Sequence, residues 1–221
     1  MKIWFTADSH FGHANCIKYT RRPYKDVDDM REQIIEKWNS RVDVGDVVYH
    51  LGDMSLNKNR AFEVIPRLNG TIILVCGNHD ECFPLTKEKH LNAKAKYIEA
   101  GIYYITMGQS LIIGMNNDPI KTTEVYLTHL PPMTPEQAIF DNRYEHHRIE
   151  YNPNMWYLHG HLHGHSYMKY KNFVDVGWDC KLDLFSEDEV IDLIYDERTF
   201  IPSRISPLEL KLDGRPMAEG V

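Results

Sequence analysis

Three short apolar runs, "KIWFTA" (2 to 7), "DVVYHLG" (46 to 52) and "GTIILVCG" (70 to 77), alternate with segments of helical period, and this alternation leaves few folds open. In "VDDMREQIIEKWNSRV" (27 to 42), Met30, Ile34, Ile35 and Trp38 recur at helical spacing. Its acidic residues lie at the start and its Arg near the end, as the helix dipole favours. "NKNRAFEVIPRLN" (57 to 69) reads as a helix interrupted near Pro66, and "TKEKHLNAKAKYIEAG" (86 to 101) as a helix stopped by Gly101. Strands joined through helices require right-handed crossovers and a parallel sheet.

The second half changes character. "IYYITM", "SLIIGMN" and "VYLTHL" read as short strands, with "GQ" and "NNDPIKTT" as turns between antiparallel neighbours. A polar segment (131 to 154) precedes two further strands, "MWYLHG" and "NFVDVG", a short helix at "SEDEVIDLIYD" (186 to 196) and a tail from 197 to 221. At 221 residues and 43% apolar content, the chain suffices for one sizeable core, so residues 1–221 are expected to form a single α/β domain.

A net charge of -7 argues against an extended nucleic-acid surface, which needs clustered Lys and Arg to displace counterions. No apolar run approaches 18 residues and no basic-then-apolar leader opens the chain, so neither membrane nor secretion is expected. Cys16, Cys76, Cys82 and Cys180 show no CxxC pairing and read as small buried hydrophobes of a reducing cytoplasm.

The chemistry sits just after the strands. Asp8 and His10 follow the first, Asp53 the second, Asn78 and His79 the third; His129 lies near the end of "VYLTHL", and His161 and His163 follow the run "MWYLHG". Ligands of open α/β sheets bind outside the carboxyl ends of strands, so these residues are candidates for one pocket. Asp46 precedes its strand, and seven extended residues span roughly 23 Å, which removes it from that cluster. Carboxylates, imidazoles and an amide oxygen without thiolate spacing suit divalent Mn, Fe, Zn or Ni. Seven donors are too many for one tetrahedral ion and suit two that share a carboxylate. Paired ions clamp attacking and leaving oxygens in phosphoryl displacement and lower the pKa of a bound water, so phosphate ester hydrolysis follows.

The blocks "DSH", "GDMS", "GNHD", "THLP" and "GHLH", in that order over residues 8 to 163, resemble the calcineurin-like metallophosphoesterase superfamily, in particular its small single-domain bacterial or phage-type members. The resemblance implies a four-layer α/β/β/α sandwich of two mixed sheets flanked by helices. It implies that Asp8, His10 and His163 hold one metal, that Asn78, His129 and His161 hold the other, and that Asp53 bridges them. His79 would be the general acid, oriented by Asp80. No organic cofactor is implied; the cofactors are two divalent ions, with Mn²⁺ expected first. The reaction so implied is in-line attack of metal-bound hydroxide on a phosphate ester, and the positioned acid in "GNHD" favours phosphodiesters, nucleotide-type or other small diesters. A phosphomonoesterase, a non-catalytic scaffold of the same fold and a nuclease that depends on a partner are the competing readings.

Other residues leave alternatives open. In "YLHGHLHGHS", His159 and His165 remain as supporting or structural groups, and Gly160 and Gly164 relieve crowding. His13, Arg21, Arg22 and the run from 141 to 151, with Arg143, His146, His147 and Arg148, form either a substrate wall or solvated loops. Trp156 and Trp178 either pack in the core or stack on a nucleobase, and His50 and His90 read as structural.

Overall fold

The computed structural model describes residues 1–56, 58–84, 87–115, 118–133, 144–164 and 172–196. The tail from 197, His165 and residues 134–143 with Arg143, all singled out in the sequence, lie outside the described residues.

The first sheet has the order β4 (Ile102–Thr106), β3 (Thr71–Val75), β2 (Val47–His50), β1 (Ile3–Thr6) and β9 (Phe185–Ser186). The first four strands are parallel and β9 is antiparallel to β1. The second sheet runs β5 (Gly108–Met115), β6 (Asp118–Thr128), β7 (Trp156–His159) and β8 (Phe173–Asp175); β5 and β6 are antiparallel, and β6, β7 and β8 parallel. The helices are α1 (Ala14–Tyr19), α2 (Val27–Arg41), α3 (Lys58–Val64), α4 (Lys87–Ala100) and α5 (Glu187–Tyr195). The α/β sandwich of two mixed sheets with flanking helices is therefore the architecture observed. Among the described residues no helix is long and apolar enough to cross a membrane.

Period-two alternation along the strands assigns side chains to two cores. Trp4, Val48, Ile72 and Leu74 join Met30, Ile34 and Trp38 of α2 in the first. Phe5, Tyr49 and Val75 join Val125, Leu127 and Leu158 of the second sheet in the other, which α5 closes with Val190 and Ile191. Trp178 is fully buried in the first core and donates to the Tyr24 hydroxyl, so it packs rather than offers a stacking face. The Asp26 carboxylate caps α2, and a capping box of Ser186 and Glu189 starts α5.

Two sequence expectations need correction. "GQ" is no hairpin turn, because Ile102 and Ile105 of β4 bury against the first core while Ile113 of β5 buries in the second. The chain thus changes sheets between Thr106 and Gly108. "DPIKTT" is strand rather than turn: β5 spans eight residues, and β6 must extend back to Asp118 to pair with it. Both α1 and the two-residue β9 escaped the sequence reading, being too short to show a period.

The parallel register aligns Thr6, His50 and Leu74, so the chain leaves β1, β2 and β3 at one edge. There the second sheet meets it through an Ala7–Gly177 bridge and the Trp178 N–H bond to the Ala7 carbonyl at 2.8 Å. Asp46 lies at the opposite edge, where its carboxylate accepts from the N–H groups of Lys2 and Asp43 and from Trp4 Nε1. Asp46→Ala strands these donors and should cost about 1–3 kcal/mol in urea unfolding. Metal content should not change, and its loss would place Asp46 in the site after all.

Candidate metal centre

Five turns carry the candidate residues, and their backbone is unusual. Nine non-glycine residues among those described have positive φ, and five of them are Asp8, His10, Asp53, His161 and His163. The left-handed region disfavours Cβ-bearing residues, so such clustering marks turns shaped by what their side chains must reach. Two glycines permit the approach. A Cβ on Gly52 (φ 89°) would sit 2.5 Å from the Gly77 nitrogen, and one on Gly160 would sit 2.6 Å from Asp8 Oδ2. With Gly160 bare, the His161 N–H donates to Asp8 Oδ2 at 3.0 Å, and "GHLH" leaves β7 against the end of β1.

Two groups of donors result. Asp8, His10 and His163 place ligand atoms within 4.8 Å of one another, and so do Asp53, His129 and His161. Asp53 faces both: Oδ1 is 3.4 Å from His129 Nε2, and Oδ2 is 3.9 Å from His10 Nε2. Asn78 Oδ1 lies 3.1 Å from His129 Nε2.

Donor chemistry tests whether cations fit. His129 Nδ1 donates to the Leu51 carbonyl at 2.8 Å, so in the neutral ring Nε2 carries a lone pair. That lone pair faces the oxygens of Asn78 and Asp53, three acceptors together, which requires a proton or a cation between them. Burial opposes charge on His129, but Asp53 outweighs it and raises the imidazole to about 9, so a proton occupies that place in the free chain. His163 Nδ1 donates to Asp179 Oδ2 at 2.7 Å and turns Nε2 toward His10 Nε2, 3.1 Å away. Burial pushes His10 and His161 well below the usual imidazole range, leaving neutral rings, and raises Asp8 to about 7. The residues fit two divalent ions, whose binding would release the protons now held there.

His79 lies at the rim, its side chain 44% exposed. Its backbone N–H donates to Asp53 Oδ1 at 2.9 Å, and its ring Nε2 is 3.9 Å from Asp53 Oδ2. Asp80 accepts from the N–H groups of Asp53, Met54 and Gly77, each at 2.9 Å. Its carboxylate thus staples the Asp53 turn to the Gly77 turn, and no described hydrogen bond joins it to the His79 ring.

The remaining sequence candidates separate. His50 lies in the core with Nε2 2.8 Å from Ser9 Oγ, His90 bonds the Cys82 carbonyl, and His159 Nδ1 donates to the Gly160 carbonyl. His13 borders the first group, its ring 5.5 Å from that of His10. Tyr144 and His147 pack on Phe83, and Tyr144 also meets His161, so this segment borders the second group. Arg22 is no substrate wall: it is buried and bonded to Asp179. Asp179 is the residue the sequence reading missed. It follows β8 as Asp8 follows β1, and the strand-end rule applied to "NFVDVGWD" would have found it. Burial alone would raise its carboxyl, but bonds from His163 and Arg22 hold it well below the usual range.

Known proteins are similar to this chain in sequence and in fold. An 83-residue segment is 46% identical to an uncharacterized protein of Methanocaldococcus jannaschii, covering 36% of this chain and about half, 47%, of that relative. The gene 66 protein of Mycobacterium phage L5 is 26% identical over 198 residues, covering 86% of this chain and 93% of the phage protein. The crystal structure of a protein of unknown function from Aquifex aeolicus has the same fold, with a TM-score of 0.58 and 22% identity over 87% of this chain and 99% of that one. A family model for the calcineurin-like phosphoesterase superfamily domain matches residues 1–177, and with that match over most of its length the chain belongs to this superfamily.

Proposed function

We propose that the protein is a dimetal-dependent phosphoesterase acting on small phosphodiesters, nucleotide-type among them. The observation that carries this reading is the pair of donor groups facing one another across Asp53. Asp8, His10 and His163 would hold one ion, Asn78, His129 and His161 the other, and Asp53 would serve both. Mn²⁺ is the expected ion, and Fe, Zn or Ni would suit the same donors. Bound there, the ions would supply charge against the phosphoryl oxygens and acidify the attacking water.

The protein's own groups do the rest. His79 is held by its backbone on Asp53, and its exposed ring is free to reach the leaving oxygen. As water adds to phosphorus and releases a proton to solvent, the ester P–O bond breaks and His79 gives its own proton to the leaving oxygen. A diester with a poor alkoxide leaving group gains most from such an acid, which is what favours diesters over monoesters. Burial of Asp8, Asp53 and His129 keeps bulk water from screening their charges.

His79→Asn should retain metal and lower turnover of unactivated diesters by about 10²–10⁴-fold, with a smaller effect on nitrophenyl esters. Equal loss of metal would make His79 a ligand instead. Asp53→Asn should weaken both ions in a metal-content assay, and full occupancy in that variant would remove the bridging role. Chelated protein reloaded with Mn²⁺ should hydrolyse bis-nitrophenyl phosphate faster than nitrophenyl phosphate. The reverse order would identify a phosphomonoesterase, and no turnover by protein holding two ions would favour the scaffold reading.

A further inference from the structure

One side chain joins parts of the first donor group that lie far apart in sequence. Arg22, buried between α1 and α2, binds both carboxylate oxygens of Asp179, through Nε at 2.7 Å and Nη2 at 3.0 Å. The same guanidinium donates from Nη2 to the Asp8 carbonyl at 2.6 Å and from Nη1 to the Ser9 carbonyl at 2.9 Å, with Met30 Sδ 3.6 Å from Nη1. Asp179 in turn accepts from His163 Nδ1 at 2.7 Å. A path of hydrogen bonds therefore runs from the left-handed turn at Asp8, through Arg22 and Asp179, to His163.

We infer that Arg22 and Asp179 are positioning residues for the ion that Asp8, His10 and His163 would hold, with Arg22 setting both the Asp8 turn and, through Asp179, the tautomer of His163. The inference rests on the dimetal reading above. An ionised carboxylate only accepts, so His163 Nδ1 must donate to it, and in the neutral, metal-binding ring the lone pair lies on Nε2, toward His10. Asp179 is buried, and its bonds from His163 and from the guanidinium keep it ionised there. Lys cannot replace it, because a single ammonium cannot span two carboxylate oxygens and two carbonyls in fixed directions. The second donor group has a different support, the Leu51 carbonyl on His129, so the two ions should respond separately.

The test is Mn²⁺ titration of ion-free protein by calorimetry and electron paramagnetic resonance, on the unaltered chain, Asp179→Asn and Arg22→Lys. In Asp179→Asn the new amide can turn its NH₂ toward His163 Nδ1, favouring the tautomer whose Nε2 carries the proton. One ion should then bind as before and the other about 10- to 100-fold more weakly, with the coupled two-ion signal giving way to that of an isolated ion. Arg22→Lys should weaken the same ion, and it serves as the independent variant should Asp179→Asn fail to fold. Folded variants that take two ions with unaltered affinity would overturn the positioning role alone. Unaltered protein that binds no ion would remove the dimetal reading, and this inference with it.

Discussion

The constraint on which the rest of the structure depends is the meeting of lone pairs at Asp53. Its two oxygens, the Nε2 atoms of His10 and His129 and the amide oxygen of Asn78 converge where two sheets touch. Such a group is stable only with positive charge inside it, whether protons or metal ions. The free chain supplies a proton on His129, raised to about 9 by Asp53 against the opposing effect of burial. The left-handed turns, the bare glycines and the buried hydrogen bonds all hold acceptors closer together than they would rest alone.

That arrangement costs conformational energy. Each left-handed non-glycine residue is disfavoured by on the order of 1–3 kcal/mol, and five occur among the candidate ligands. Surrounding contacts over-determine these turns. The Asp8 N–H bonds the Gly52 carbonyl, the His10 N–H bonds the Asp53 carbonyl, and the Phe11 N–H bonds the Met54 carbonyl, so the turns after β1 and β2 run as a paired ladder beyond the strands themselves. The apolar sandwich is what makes those strands rigid enough to carry it, with Leu51 and Met54 fully buried beside Asp53.

Much of this was legible in the sequence because the first half uses local signals. Apolar runs with helical segments between them disclosed β1, β2, β3, α2 and α4, and parallel pairing then brought Asp8, Asp53 and Asn78 to one edge. The sheet change between Thr106 and Gly108 was not legible, since "YITMGQS" has the same alternation whichever sheet receives it. Asp179 was missed although "NFVDVG" reads as a strand, because the Asp that follows β8 shows its partner His163 only once the second sheet is assembled. Arg22 read as a charged loop residue, and only burial against Asp179 reveals its place.

Asp80 shows why a residue's sequence neighbour is a poor guide to its physical partner. Beside His79 in "GNHD" it reads as the group that orients that ring, yet its carboxylate accepts from three backbone N–H groups on two turns. Burial and the nearby Asp53 charge raise its carboxyl to about 7. Protonation would remove acceptor capacity from those three N–H groups and loosen the link between the β2 and β3 turns. The path from Asp80 to His79 then runs through the backbone: Asp80 fixes Asp53, and Asp53 Oδ1 holds the His79 N–H. Any charge entering at Asp53 therefore acts on all three residues together, and the placement of His79 is coupled to occupancy of the donor groups.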